Sequence, residues 1–427
     1  MPVQRKLAEG RRGAESPCLI CRGGRMLCGR PNCPILAKAS ASARIKPLME
    51  REAIQGSSPP AVFVGHAGYP YVRAGPMIPP FFGNTSILDT PELWLGKGLE
   101  EIVEYRYSLI RGTRRIKVGE ARDGGRLVFS LQELAMGDGP VDSEATLLRK
   151  PKGPVIFSEY AQPFGPSAPL KSFEISDLRV DRRIERAYYD RDLRAADAIL
   201  DLYKDGVPIT KIQRAFSVGM FGRPQARRLV PTRWSITAID SLLSAQIVER
   251  LKGFESIDKY RVHSFRTLYN LFLAILLPMR WSFEWIEAWF PGSTWNLGGS
   301  RPALMGDYEG YGGRRTYASV GGCYYSARLA IAEGLLKEGR QAAALVMREI
   351  YPGYSMPVGV WLVREGVRRA MASEPREFES LEEALAYARS ELTVPLGRWI
   401  EHSAILRNAF LQEKLPKYLS RAQTDWR

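Results

Sequence analysis

The sequence predicts an α/β or α+β mixed globular body with a small N-terminal four-cysteine zinc knuckle. Three observations point there. Of the 427 residues, 45% are apolar and 25% charged, ordinary proportions for a chain that buries a core. Apolar runs at helical spacing alternate with short strand-like runs, most clearly in the last third. Four of the five cysteines fall in one stretch, "CLICRGGRMLCGRPNCP", residues 18–34. The length allows two to three domains at roughly 150 residues each. No internal repeat is visible.

The knuckle comes first in the chain. Cys18, Cys21, Cys28 and Cys33 are spaced C-x2-C-x6-C-x4-C. Two pairs of thiolates in short turns would fill a tetrahedral zinc site and leave no position for water, so the expected cofactor is one structural Zn2+. Gly23, Gly24 and Gly29 allow the tight turns such a site needs. Arg22, Arg25 and Arg30 sit between the ligands, either to grip phosphate or only as part of a folding device. Residues 1–50 carry ten Lys and Arg against three acids, almost half of the net charge of +15. Such an excess favours an anionic partner, nucleic acid or an acidic protein ahead of membrane. A solvated tail is the competing reading.

The expected organisation is a basic knuckle module over 1–36, a linker over 37–60, a body over 61–408 and a tail over 409–427. "AVFVG" (61–65) reads as a strand. "HAGYPYVRAGPMIPPFFGNT" (66–85), rich in Gly and Pro, reads as a long ordered loop. "DTPELWLG" (89–96) carries a helix-start signal, and 100–120 a helix leading into a strand. "PVIFSEYAQPF" (154–164) and "KSFEISDLRV" (171–180) read as strands. Residues 181–253 form a helical subregion whose "KDGVP" turn gives two readings, a helix-turn-helix presenting Lys211, Gln213 and Arg214 or a plain helical hairpin. Residues 268–290 read as a buried strand followed by an aromatic-rich helix, too interrupted by Asn270, Pro278, Arg280, Glu284 and Glu287 to span a membrane. No apolar run follows the first charges, so no signal peptide is expected and the protein is placed in the cytoplasm. Beyond 322 the order is helix, strand, helix, helix, the last with Ser380 as N-cap.

Two loops are the best candidates for a functional surface. Arg223, Arg227, Arg228 and Arg233 fall in eleven residues without an acid, and Trp234 follows. Arginine beside an aromatic suits phosphate and base contact; pairing with acids elsewhere is the alternative. Arg314 and Arg315 lie in "YEGYGGRRTYASVGG" (308–322), which matches no phosphate-loop or dinucleotide pattern. Cys323 reads as a small core residue. His66, His263 and His402 are scattered, and the close pairs Asp138/Asp142 and Asp177/Asp181 are too generic for a catalytic role.

Behind the cysteine stretch, the long motifs "AVFVGHAGYPYVRAGPMIPP", "DTPELWLG", "PTRWSITAID", "GGCYYSARLAIAE" and "MPVGVWLVREGVRRA" resemble the archaeal Nre proteins, from Cys18 to about Asn408. The resemblance implies DNA-damage repair and an interaction with the replicative sliding clamp. Many members end in a clamp-binding peptide of the form Q-x-x-apolar-x-x-aromatic-aromatic. "QEKLPKYL" offers Gln412, Leu415, Tyr418 and Leu419, with Leu for the last aromatic and Pro416 inside. The end of an amphipathic helix is the other reading of that stretch. The expected function is DNA repair, with DNA bound through zinc and arginine surfaces and the clamp as a second partner. An enzyme acting on a nucleotide or nucleic acid, and an RNA-binding protein, are the alternatives.

Overall fold

Two six-stranded sheets frame the protein, and their central strands differ in burial. The structure is a computed structural model that describes residues 50–152, 164–293, 295–296 and 298–411, together with Cys21, Arg25, Leu27, Cys33, Leu36, Ala39, Ser40 and Ala43. The first sheet contains β1 (Ala53–Ser58), β2 (Val62–Val64), β3 (Tyr71–Ile78), β4 (Ile110–Lys117), β5 (Val141–Leu147) and β6 (Ser167–Ile175), ordered β1-β5-β6-β4-β3-β2. All its pairings are antiparallel except β4 with β6. Buried and exposed residues alternate cleanly on β5, as expected of a sheet with one face on the core and one in water. The inner face lies against α2 (Arg126–Met136), which follows α1 (Leu99–Tyr107).

β1 lies inside the stretch expected as linker, and β3 inside the stretch expected as loop. Gly75 shows why composition misleads there. A Cβ on Gly75 would sit 1.7 Å from the Gly112 carbonyl oxygen, so the β3–β4 approach requires glycine.

A helical layer follows: α3 (Arg182–Tyr189), α4 (Ala195–Lys204), α5 (Ile209–Ser217) and α6 (Thr232–Leu251). The Asp181 carboxylate caps α3 by accepting from the Arg183 N–H, and α4 gives way to Gly206 at φ 75°. The helical-hairpin reading holds. Lys211 and Gln213 on α5 are buried, and Arg214 pairs with Asp89 at 3.1 Å, so the side chains a DNA reader would present point inward.

The second sheet contains β7 (Tyr260–Thr267), β8 (Asn270–Leu277), β9 (Ser282–Trp289), β10 (Ala303–Glu309), β11 (Ala343–Ile350) and β12 (Arg376–Phe378), ordered β10-β9-β11-β8-β7-β12. Its centre is buried on both faces. On β8, Phe272, Ala274 and Leu276 join the main core, under α7 (Gly322–Glu338) and α8 (Trp361–Met371). Leu271, Leu273, Ile275 and Leu277 join a second core, under α9 (Leu381–Glu391) and α10 (Leu396–His402). Helices thus cover both faces of a mixed sheet. The aromatic-rich stretch expected as helix is strand β9, whose Phe283, Trp285 and Trp289 face the main core while Ile286 and Ala288 face the second. A strand buried on both faces loses the alternation that would mark it.

The N-terminal knuckle is corrected. Cys21 and Cys33 are both buried, while Cys18 and Cys28 lie outside the described residues. Among the described residues, no group of three or more His, Cys, Asp or Glu side chains could hold a metal ion. Two thiols supply half of a tetrahedral set, so the structural Zn2+ and the zinc knuckle are withdrawn. The mixed α/β body stands. No described helix is long and apolar enough to cross a membrane.

Candidate nucleic-acid interface

The N-terminal end of α6 is where the two arginine-rich loops meet. The Val64 N–H on β2 donates to Thr232 Oγ1 at 3.0 Å, pinning the helix start to the first sheet. Trp234, in the first turn, is 44% exposed and contacts Tyr69 from the β2–β3 turn, itself 49% exposed. The ring centroids are 5.3 Å apart at 48°. On the other side, Tyr317 of the 308–322 loop lies beside Thr237 and Arg233.

Below these rings is a groove of about 400 Å³. Arg223 and Arg228 line it, with Phe216, Phe221 and Leu229 as an apolar floor. The Leu229 N–H donates to the Val118 carbonyl at 2.8 Å, setting the arginine segment against the end of β4. There Arg122 and Arg228 flank Gly119, and Arg122 Nη1 donates to the Gln225 carbonyl at 3.3 Å.

The candidate arginines divide into two groups. Arg227 is buried: its Nε donates to the Gly222 carbonyl at 2.8 Å, one Nη donates to the Tyr188 carbonyl at 2.6 Å, and the guanidinium stacks over the Tyr188 ring. Arg314 pairs with Asp307 at 3.0 Å and stacks over Tyr324. These two hold their loops in shape. Arg223, Arg228, Arg233 and Arg315 are exposed, and no described carboxylate lies within salt-bridge distance of them. Arg25 is exposed, while Arg22 and Arg30 lie outside the described residues. Gln412, Leu415, Tyr418 and Leu419 also lie outside them, so clamp docking has no structural support here.

Sequence reading missed a basic strip on the first sheet. Arg73 on β3 stands directly opposite Arg115 on β4, and Tyr71 opposite Lys117. All four are exposed, and the Arg115 guanidinium lies over the Tyr71 ring at 5.0 Å. Like charges directly opposite across a ladder repel. The signal was present in "TRRIK", three cations without an acid, but only strand register shows which of them share a face.

Three of the four paired aspartates have structural partners. Asp138 and Asp181 converge on the Lys211 ammonium, each at 3.0 Å. Hydrogen bonds from Arg183, with help from Lys211, hold the Asp181 carboxyl well below the usual range. The Asp142 carboxylate accepts from the Ser57 hydroxyl at 2.7 Å. Of the histidines, His66 and His402 are exposed and His263 is buried. Cys323 is half-buried against the main core.

Comparison with known proteins places the chain in a family. The family model described as archaeal Nre, N-terminal, matches residues 27–296, and the one described as archaeal Nre, C-terminal, matches 309–418. Both contribute strands to the second sheet. The chain is 46% identical to the DNA repair protein NreB of Archaeoglobus fulgidus, over 91% of this chain and 97% of that one. It is 37% identical to the DNA repair protein NreA of the same organism, over 87% and 92%, and 34% identical to the DNA repair protein NreA of Haloferax volcanii, over 83% and 86%. No solved structure matches the chain. With two family models covering more than half of its length and relatives matched almost end to end, the chain belongs to the archaeal Nre family.

Proposed function

We propose that this protein acts in DNA repair and binds DNA at the α6 groove, working in the cytoplasm beside the genome. The relatives' names supply the process. The observation that supports the site is Arg223 and Arg228 lining a groove beside two exposed aromatic rings, with no described acid to neutralise them. The strip of Arg73, Arg115 and Lys117 extends positive charge along the neighbouring sheet face. A phosphate chain laid there would relieve the repulsion between Arg73 and Arg115. The start of a twenty-residue helix adds the positive end of its dipole.

The test is DNA binding by the full chain across a salt series. Combining Arg223→Ala with Arg228→Ala should weaken binding and flatten the slope of log affinity against log salt by about two. Binding and slope unchanged from the parent protein would remove this groove as the DNA site.

A further inference from the structure

We infer that the DNA held in this groove is single-stranded, with an unpaired base stacked on Trp234. The inference rests on the groove being the DNA site and names the form of DNA it takes. Two features argue for it: the state of the aromatic rings and the lining of the groove.

Trp234 and Tyr69 meet at 48°, so they do not stack flat on one another, and each ring stays nearly half exposed. An exposed tryptophan costs solubility unless something covers it, and a nucleobase is a flat π-surface of matching size. In a duplex, base faces are already stacked on each other, and the backbone offers a groove wall only phosphate and sugar. Here the floor is Phe216, Phe221 and Leu229, which gain nothing from phosphate. Apolar floor, aromatic rim and arginine walls together fit one unpaired nucleotide, its base inside and its phosphates on Arg223 and Arg228.

The surroundings repeat the pairing of ring and cation. Tyr71, two residues beyond Tyr69, lies under Arg115. Tyr317, 60% exposed, stands beside Arg233, the residue before Trp234. Ring and cation are thus paired at Tyr71 with Arg115 and at Tyr317 with Arg233, and Tyr69 and Trp234 line the groove with Arg223 and Arg228. Aromatic platforms interleaved with backbone-tracking cations are how proteins hold single strands without reading sequence. Four segments far apart in the chain, around 69–73, 115–117, 223–234 and 315–317, supply these rings and cations.

The experiment uses the full chain and fluorescein-labelled probes read by anisotropy: a twenty-nucleotide oligo-dT, the oligo-dT/oligo-dA duplex of the same length, and oligo-rU. The single DNA strand should bind at least tenfold tighter than the duplex. Trp234→Ala should weaken single-strand binding roughly tenfold, Trp234→Phe should restore most of it, and duplex binding should not move. Tyr69→Ala provides a second reading should Trp234→Ala lower the melting temperature. Equal affinity for the two DNA forms overturns the inference, as does tighter binding of oligo-rU. So does a loss confined to the Arg223→Ala, Arg228→Ala protein with both aromatic variants unaffected; that result leaves the groove as a DNA site. Wild-type binding by the arginine variant sinks the site itself.

Discussion

The two sheets use their charges in opposite ways. The second is roofed by helices on both faces, and charged groups packed against its centre are tied inside. The Asp240 carboxylate on α6, fully buried, accepts from Arg364 on α8 at 3.0 Å, from Ser326 on α7 at 2.5 Å and from Gln213 on α5 at 3.3 Å. Glu309 at the end of β10 accepts from Arg328 at 2.8 Å and from the Trp281 indole at 3.2 Å. The first sheet has one wet face, and its charges are sorted along it. Asp142, Glu144 and Glu174 stand on β5 and β6, and Arg73, Arg115 and Lys117 on β3 and β4. Charge packed between the helices is buried and paired, and the exposed arginines of β3 and β4 stand opposite one another on the wet face.

That contrast can be broken first at Asp240. Asp240→Ala leaves the buried Arg364 cation only its Nε contact to Glu365 at 3.2 Å, and should cost about 3 kcal/mol in denaturant unfolding. A loss below 1 kcal/mol would show that water reaches the cluster. Acid probes the same region more gently. His263 on β7 is buried, its Nδ1 3.2 Å from the Ala370 carbonyl and its Nε2 without a partner, and burial pushes its pKa below the usual value. The unfolded chain therefore takes up the proton first. Stability holds above about pH 6.5 and falls as the pH drops toward the lowered pKa, by up to about 1.4 kcal/mol per pH unit. Melting curves from pH 7 to 5 should show a shallower fall for His263→Gln than for the parent. The smallest effect belongs to the wet face. Arg73→Gln should leave stability unchanged or raise it by about 0.5 kcal/mol, since it removes a repulsion. A clear loss there would mean that the strip is structural.

Helices α7, α8 and α9 were legible because each has a clear run of helix formers, and Ser380 marks the start of the last. Its hydroxyl accepts from the Glu383 N–H. β9 was not legible, because a strand buried on both faces lacks a two-residue period. β3 was hidden by Gly75 and Pro76, and Gly75 answers to the close approach of β4. At the site, Arg223 and Arg228 were found from composition and Arg227 came with them. Only the tertiary path of the chain separates an arginine that faces a groove from a neighbour bonded to three carbonyls. Tyr69 and Arg115 were missed for the same reason. The four cysteines carried a metal expectation on spacing alone, and spacing does not show that ligands converge.

Asp240 lies six residues beyond Trp234 on α6, about 9 Å along the helix axis. Its ties to three other helices fix the rotation of α6, and with it the direction in which Trp234 faces. A ligand entering the groove thus meets a wall whose entropy was surrendered on folding. Association then loses less freedom than it would at a mobile loop. The buried carboxylate thereby keeps the wall of the proposed binding groove rigid before anything binds.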